Sequence, residues 1–143
     1  MTNDTILKLY NSIKRLMNFG FQRVIAWQKA HDFVLSVYRI TKLFPEDEKF
    51  GLTSQFRRAA VSIETNIAEG YKKISKADKL RFFNIAQGSL EECRDYIILS
   101  LDLNYISEQE YNELCSISEY SSRMINSYCE GIINNNATKN DQI

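Results

Sequence analysis

Residues 75–110 read SKADKLRFFNIAQGSLEECRDYIILSLDLNYISEQE, and their reading decides the fold. Ser75 followed by Asp78 is a helix start: the hydroxyl can accept from the backbone three residues on, and the acid favours the positive end of the helix dipole. Phe83, Ala86, Leu90, Cys93, Ile97 and Leu101 then recur at steps of three and four, the spacing of one helical face. A helix from Ser75 to about Tyr105 is about 45 Å long at ~1.5 Å per residue. Gly88 lies inside it at a cost of roughly 1 kcal/mol relative to alanine, and close packing is the expected reason. Ser107-Glu108-Gln109-Glu110 matches the capping box S-x-x-E. The next helix therefore starts after a connection of about two residues, which makes the two helices antiparallel neighbours.

The same period extends in both directions. Upstream, Ala30, Val34, Val37, Thr41 and Phe44 define a segment from about Arg23 to Leu43, widened by Trp27 and Tyr38 and stopped before Pro45. Phe44 to Gly51 is an acidic loop. Leu52, Phe56, Ala59 or Ala60, Ile63 and Ile67 define a second segment over 52–73, its small residues allowing close approach, with Gly70 as an expected terminator. Downstream, Leu114, Ile117, Ser121, Met124, Tyr128 and Ile132 form the stripe of a last segment ending near Ile133. The pattern predicts an all-α protein, an antiparallel up-down-up-down four-helix bundle over 21–133. Residues 1–20 form an N-terminal extension in which Ile6, Leu9, Ile13 and Leu16 share a helical face and Asp4 is a candidate cap. This extension packs on the bundle, packs on a neighbour, or is loosely held. Residues 134–143 form a polar, Asn-rich tail expected to fray.

Composition narrows the function. The chain has 143 residues, 44% hydrophobic and 25% charged, with five glycines and one proline, too few breakers for a sandwich or barrel. Eighteen basic residues balance eighteen acidic ones, which argues against a surface built wholly for nucleic acid. The balance hides an asymmetry. Residues 1–73 carry a net +5 and residues 74–143 a net −5, so the halves attract each other within a bundle or between copies. No basic-then-apolar leader opens the sequence and no apolar run approaches ~20 residues. Cys93, Cys115 and Cys129 are odd in number and widely spaced, which points to a reducing, cytoplasmic setting.

Catalytic and metal chemistry finds little material. None of the glycines sits in a phosphate-binding fingerprint. His31 is the single histidine, and Gln28 stands where a di-iron bundle needs Glu. A Cys–His nucleophile would have to use His31, yet all three cysteines fall on or beside apolar faces. No enzyme, cofactor, metal site, membrane span or small-molecule substrate is expected.

Two charged features remain. Arg57, Arg58, Glu64, Asn66 and Glu69 punctuate a small-residue helix; a recognition face is one reading, and the favoured one is a polar network with Glu91, Glu92 and Asp95 of the next helix or with another subunit. Asn66 is a candidate register-fixing group. The second feature places Lys72, Lys73, Lys76, Lys79 and Arg81 at a helix junction, with Asp78 as the one acid. A charged, solvated turn explains it, and so does a phosphate contact helped by the helix start at Ser75, with Tyr71, Phe82 and Phe83 near enough for base stacking. Eight Phe, eight Tyr and one Trp are many for one narrow core. Phe82, Leu99 and Leu103 suggest a second apolar face, hence a homo-oligomer.

Several runs carry a family resemblance: Ala26-Trp27-Gln28-Lys29-Ala30, Phe44-Pro45, Phe50-Gly51-Leu52-Thr53-Ser54-Gln55, Arg57 to Ile63, Asn66 to Gly70, and Phe83, Ala86, Gly88, Ser89, Glu91 and Glu92. Over about residues 21–130 the chain resembles the four-helix-bundle family of 23S rRNA intervening-sequence proteins. The resemblance implies a left-handed bundle assembled into a ring, a pentamer, without enzymatic activity. Some members are encoded in insertions within large-subunit rRNA genes. A related branch serves diversity-generating retroelements alongside a reverse transcriptase. That branch is strongly basic and this chain is neutral. The leading expectation is thus a non-enzymatic oligomeric scaffold associated with RNA, and the alternative is a nucleic-acid-binding accessory subunit of a reverse transcriptase.

Overall fold

The computed structural model describes residues 1–17 and 19–139, with side chains given for all of these but 14–17 and 136–139. Among the described residues there are five α-helices, two 3₁₀ turns and no strand. The helices are α1 (Asn3–Met17), α2 (Ile25–Thr41), α3 (Leu52–Lys72), α4 (Lys76–Asp102) and α5 (Glu108–Lys139). A 3₁₀ turn at Gly20–Arg23 leads into α2, and another at Glu46–Glu48 lies between α2 and α3. Helix α2 packs on α3 and on α5, α3 packs on α4, and α4 packs on α5, while among the described elements α1 meets only the Gly20–Arg23 turn.

The apolar stripes read from the sequence are the ones that meet. Phe33 and Val37 of α2, Phe56, Ile63 and Ile67 of α3, Phe83, Leu90, Cys93 and Ile97 of α4, and Leu114 of α5 are all fully buried. On α5 the stripe is rotated from expectation. Ile125 is fully buried, with Ser118 and Ser121, while Met124 is only partly covered. The two small serines let α5 lie close to its neighbours, and Ser118 gives its hydroxyl proton to the Cys115 carbonyl at 2.8 Å.

Helix ends follow local chemistry. The Ser75 hydroxyl accepts from the Asp78 amide at 3.2 Å. The Ser107 capping box is complete: its hydroxyl accepts from Glu110 N at 3.1 Å and its own amide donates to Glu110 Oε1 at 2.9 Å. The junction before it is longer than the two residues expected, because α4 stops at Asp102. Asn104 takes a left-handed conformation, φ 60°. The amide of Asn104 then reaches Leu101 O and that of Tyr105 reaches Ser100 O, both at 2.9 Å, a hydrogen-bond pair that closes a helix C-terminus. At the far end, α5 continues to Lys139, six residues beyond its expected end near Ile133. The Asn-rich segment prolongs the hydrogen-bond ladder already running in α5, where each further residue costs little once a helix is nucleated. The rest of the expected tail, 140–143, lies outside the described residues.

Two glycines depart from the roles expected of them. Gly70 is not a left-handed terminator; α3 runs through it to Lys72. A Cβ at Gly70 would sit 3.0 Å from Phe83 Cε2 and 3.1 Å from Phe82 Cβ, so here glycine is what lets α3 and α4 close up. Gly88, expected to serve packing, has nothing within 4 Å of where its Cβ would be. Substitution by alanine should therefore act in opposite directions. Gly88→Ala should stabilise by about 1 kcal/mol through helix propensity, and Gly70→Ala should destabilise by about 1–3 kcal/mol through overpacking. Thermal denaturation of the two variants checks the pair, and equal signs would contradict the packing described.

Candidate functional site

The two charged features end in different places. Most of the basic junction is turned inward. Lys79 Nζ donates to the carbonyls of Tyr71 at 2.7 Å and Gly70 at 3.3 Å, satisfying acceptors that α3 leaves open at its C-terminus. Lys76 Nζ donates to Ile133 O of α5 at 3.2 Å. Lys73 and Arg81 lie over the Phe82 ring at 4.9 and 4.8 Å, and Arg81 also pairs with Asp78 at 3.9 Å. Of the five cations, Lys72 is the exposed one for which no such contact is formed among the described residues. The ring of Phe83, a candidate for base stacking, is fully buried against Tyr128 at 4.7 Å.

The expected network between the α3 arginines and the α4 carboxylates does not form among the described residues. Arg57 turns to α2 instead: its Nε donates to Thr41 Oγ1 at 2.8 Å and its guanidinium lies 4.7 Å over the Tyr38 ring. Arg58 is exposed. Glu91 pairs with Arg94, which reaches on to Glu119 of α5 at 3.0 Å. Glu92 accepts from the Tyr96 hydroxyl at 2.7 Å; this bond, with partial burial, pushes the Tyr96 phenol up to about 12. Glu69 is exposed. Asn66 donates within its own helix, to Ser62 O at 2.7 Å and Ser62 Oγ at 3.1 Å, and Ser62 Oγ meets Ser89 Oγ of α4 at 2.9 Å. Any register it fixes is thus passed on through Ser62.

Glu64 has a partner that sequence reading missed. Its Oε2 lies 2.7 Å from His31 Nδ1 of α2, and the Trp27 ring stacks on the imidazole at 4.8 Å. The 27–31 step of one helical turn was visible in sequence, but the partner thirty-three residues away was not. The Glu64 contact at Nδ1 fixes the orientation of the His31 ring. Cys93 is fully buried, and that burial drives its thiol pKa far upward; Cys129 is raised for the same reason. Among the described residues no group of three His, Cys, Asp or Glu is placed to hold a metal ion, and no helix is long and apolar enough to cross a membrane.

What the folding does assemble is a groove between α2 and α3. A cavity of about 740 Å³ is lined by Lys49, Arg57 and Arg58 together with Tyr38, Phe50, Ser54 and neighbouring residues, and no lining residue is a carboxylate. Phe50 is 90% exposed.

A model of the 23S rRNA-intervening sequence protein family matches residues 22–127. The chain belongs to this family. Its matched span begins at the Gly20–Arg23 turn and ends within α5, so it takes in the α2–α3 groove and leaves α1 outside. A crystal structure of a protein of unknown function from the S23 ribosomal protein family of Bacteroides thetaiotaomicron superposes with a TM-score of 0.69 at 24% identity, covering 74% of this chain and 96% of that one. At that identity the likeness speaks for the fold. No curated protein matches the chain.

The cysteine chemistry gives a direct check. Cys93 should resist alkylation by iodoacetamide at pH 8 in the native protein and react fully once unfolded, because the thiolate is the reactive species and burial suppresses it. Mass mapping of the modified peptides reads the result. Rapid native labelling at Cys93 would show that α4 does not pack as described.

Proposed function

We propose that this family member is a non-enzymatic, self-assembling scaffold. Its four long helices run antiparallel, up-down-up-down, in a left-handed bundle. Copies join through apolar surface that one copy leaves uncovered, in a ring for which the family resemblance suggests five subunits. The observation that carries this reading is the amount of apolar surface outside the core. Ile6, Leu7, Leu9, Tyr10 and Ile13 of α1 are each about half exposed, on a helix that among the described elements touches only the turn following it. Leu16, expected on the same face, lies outside the described side chains. Ile98 and Leu99 near the end of α4, with Leu103 just past it, form a separate exposed apolar set. Contiguous apolar surface of this kind marks subunit contacts, and copies of one chain joined head to tail form a ring when the rotation closes.

Association with RNA or another nucleic acid is a second reading, and one observation favours it: the α2–α3 groove gathers three cations and two aromatic rings without a carboxylate, on a chain whose net charge is zero.

Sedimentation equilibrium tests self-assembly. The wild-type chain should run as a multiple of 16.7 kDa. The paired variants Leu9→Glu with Ile13→Glu, and Leu99→Glu with Leu103→Glu, should each dissociate more readily while keeping full helical circular dichroism, since these side chains are exposed in the single copy. A wild-type chain that stays a monomer at high micromolar concentration overturns the reading.

A further inference from the structure

We infer that the α2–α3 groove is a binding site for single-stranded nucleic acid, with Arg57, Arg58 and Lys49 facing the phosphates and Phe50 offering a ring to a base. The inference rests on the nucleic-acid reading above and is independent of self-assembly. It moves the contact away from the basic junction that sequence alone suggested.

Three observations carry it. The first is the contrast in how cations are used. At the junction, Lys76 and Lys79 are tied to backbone carbonyls and Arg81 to Asp78, while Lys73 lies over the Phe82 ring much as Lys49 lies over Phe50 in the groove. In the groove, neither Arg57 nor Arg58 has a carboxylate partner among the described residues, and Lys49 lies only against the Phe50 ring, 5.7 Å away. Glu48, the nearest acid in sequence, does not line the cavity; its Oε1 lies 3.1 Å from where a Cβ on Gly51 would be. Three positive charges with no carboxylate among the residues that line the groove favour an anion.

The second observation is that one of these cations is pre-positioned. Thr41 holds Arg57 Nε and Tyr38 supports the guanidinium face, so little rotamer freedom is left to lose when the outer nitrogens meet an anion. Arg58, one residue on, is free of that anchoring and can follow a second phosphate. Ser54, one turn before both, adds a hydroxyl to the same wall.

The third is the exposed aromatic beside the cations. Phe50 is nine-tenths exposed in the loop before α3, where an isolated ring in water gains nothing for the fold. A base has a flat face to stack there, and such stacking is sequence-tolerant. The groove, about 740 Å³ and open to solvent, has room for more than one phosphate. A strand that carries phosphates and flat bases together answers both the cations and the ring.

The experiment measures retention of fluorescent twelve-residue oligouridylate and oligothymidylate by anisotropy at 50–200 mM salt, on the full chain, with the oligomer followed in parallel by sedimentation. The two probes distinguish RNA from DNA as the source of the shared phosphate-and-base chemistry. Phe50→Ala and Arg58→Glu with Lys49→Glu alter only exposed side chains, so the fold is spared. We expect Phe50→Ala to weaken binding of at least one probe roughly tenfold, the scale of one lost base stack. The charge pair should flatten the log–log salt dependence by about 0.7 for each phosphate contact removed. Lys72→Glu with Lys73→Glu should change little. Binding lost in the Lys72/Lys73 variant and kept in the groove variants overturns the groove while leaving the nucleic-acid reading standing. No binding of either probe by the wild-type chain overturns both. Groove variants that dissociate the oligomer, with nucleic acid unaffected, show instead that an acidic face of a second copy occupies the groove.

Discussion

The approach of α3 to α4 governs the rest of the molecule. A methyl group on Gly70 would sit 3.0 Å from the Phe83 ring, and Ala59 and Ala60 add small buried side chains on α3. Interiors are packed to near-crystalline density, so a helix pair this close leaves its outer surfaces fixed in place. With Gly70 against α4 and Phe56, Ile63 and Ile67 in the core, the remaining side of α3 is set. That side carries Ser54, Arg57, Arg58 and Thr65. The groove is thus a by-product of how the small residues are buried.

The same closeness explains why the basic junction is structural. A helix that ends two residues past a tight contact has its last carbonyls held near the next helix, and unsatisfied carbonyls there are costly. Lys79, one turn into α4, is within reach of two of them, and Lys76 reaches a carbonyl of α5. A cluster of positive charge in sequence therefore becomes a set of internal clasps. Charge on α4 and α5 is handled similarly, by Arg94 bridging Glu91 and Glu119 and by Glu92 holding Tyr96.

The aromatic excess noted from composition is divided between two uses. Phe83 with Tyr128, Phe56 with Tyr96 and Phe44 with Tyr105 join neighbouring parts of the core at centroid distances of 4.7 to 5.8 Å. Phe50 and the apolar side chains of α1 and outer α4 stay in contact with water in a single copy. A narrow helical core can bury only one stripe per helix, and the surplus is what the proposals of assembly and ligand binding draw upon.

The sequence by itself determined the four long helices, their apolar stripes and most of their ends. Those features are local: the 3–4 spacing, the Ser75 and Ser107 caps, and the stop before Pro45 act within a few residues. Even the break after Asp102, read three residues late, was written in Asn104, which tolerates the left-handed conformation better than its neighbours. Only the tertiary structure decided which glycine packs and which does not, that Glu64 meets His31, and that Arg57 turns to Thr41 and Tyr38 and away from α4. It also decided that Lys76 and Lys79 are tied to carbonyls while Arg57, Arg58 and Lys49 line a groove without a carboxylate among its lining residues. Each of these depends on how one helix is rotated against another. A rotation of one residue position, about 100°, moves a side chain from core to solvent, and periodicity cannot specify the partner that waits there.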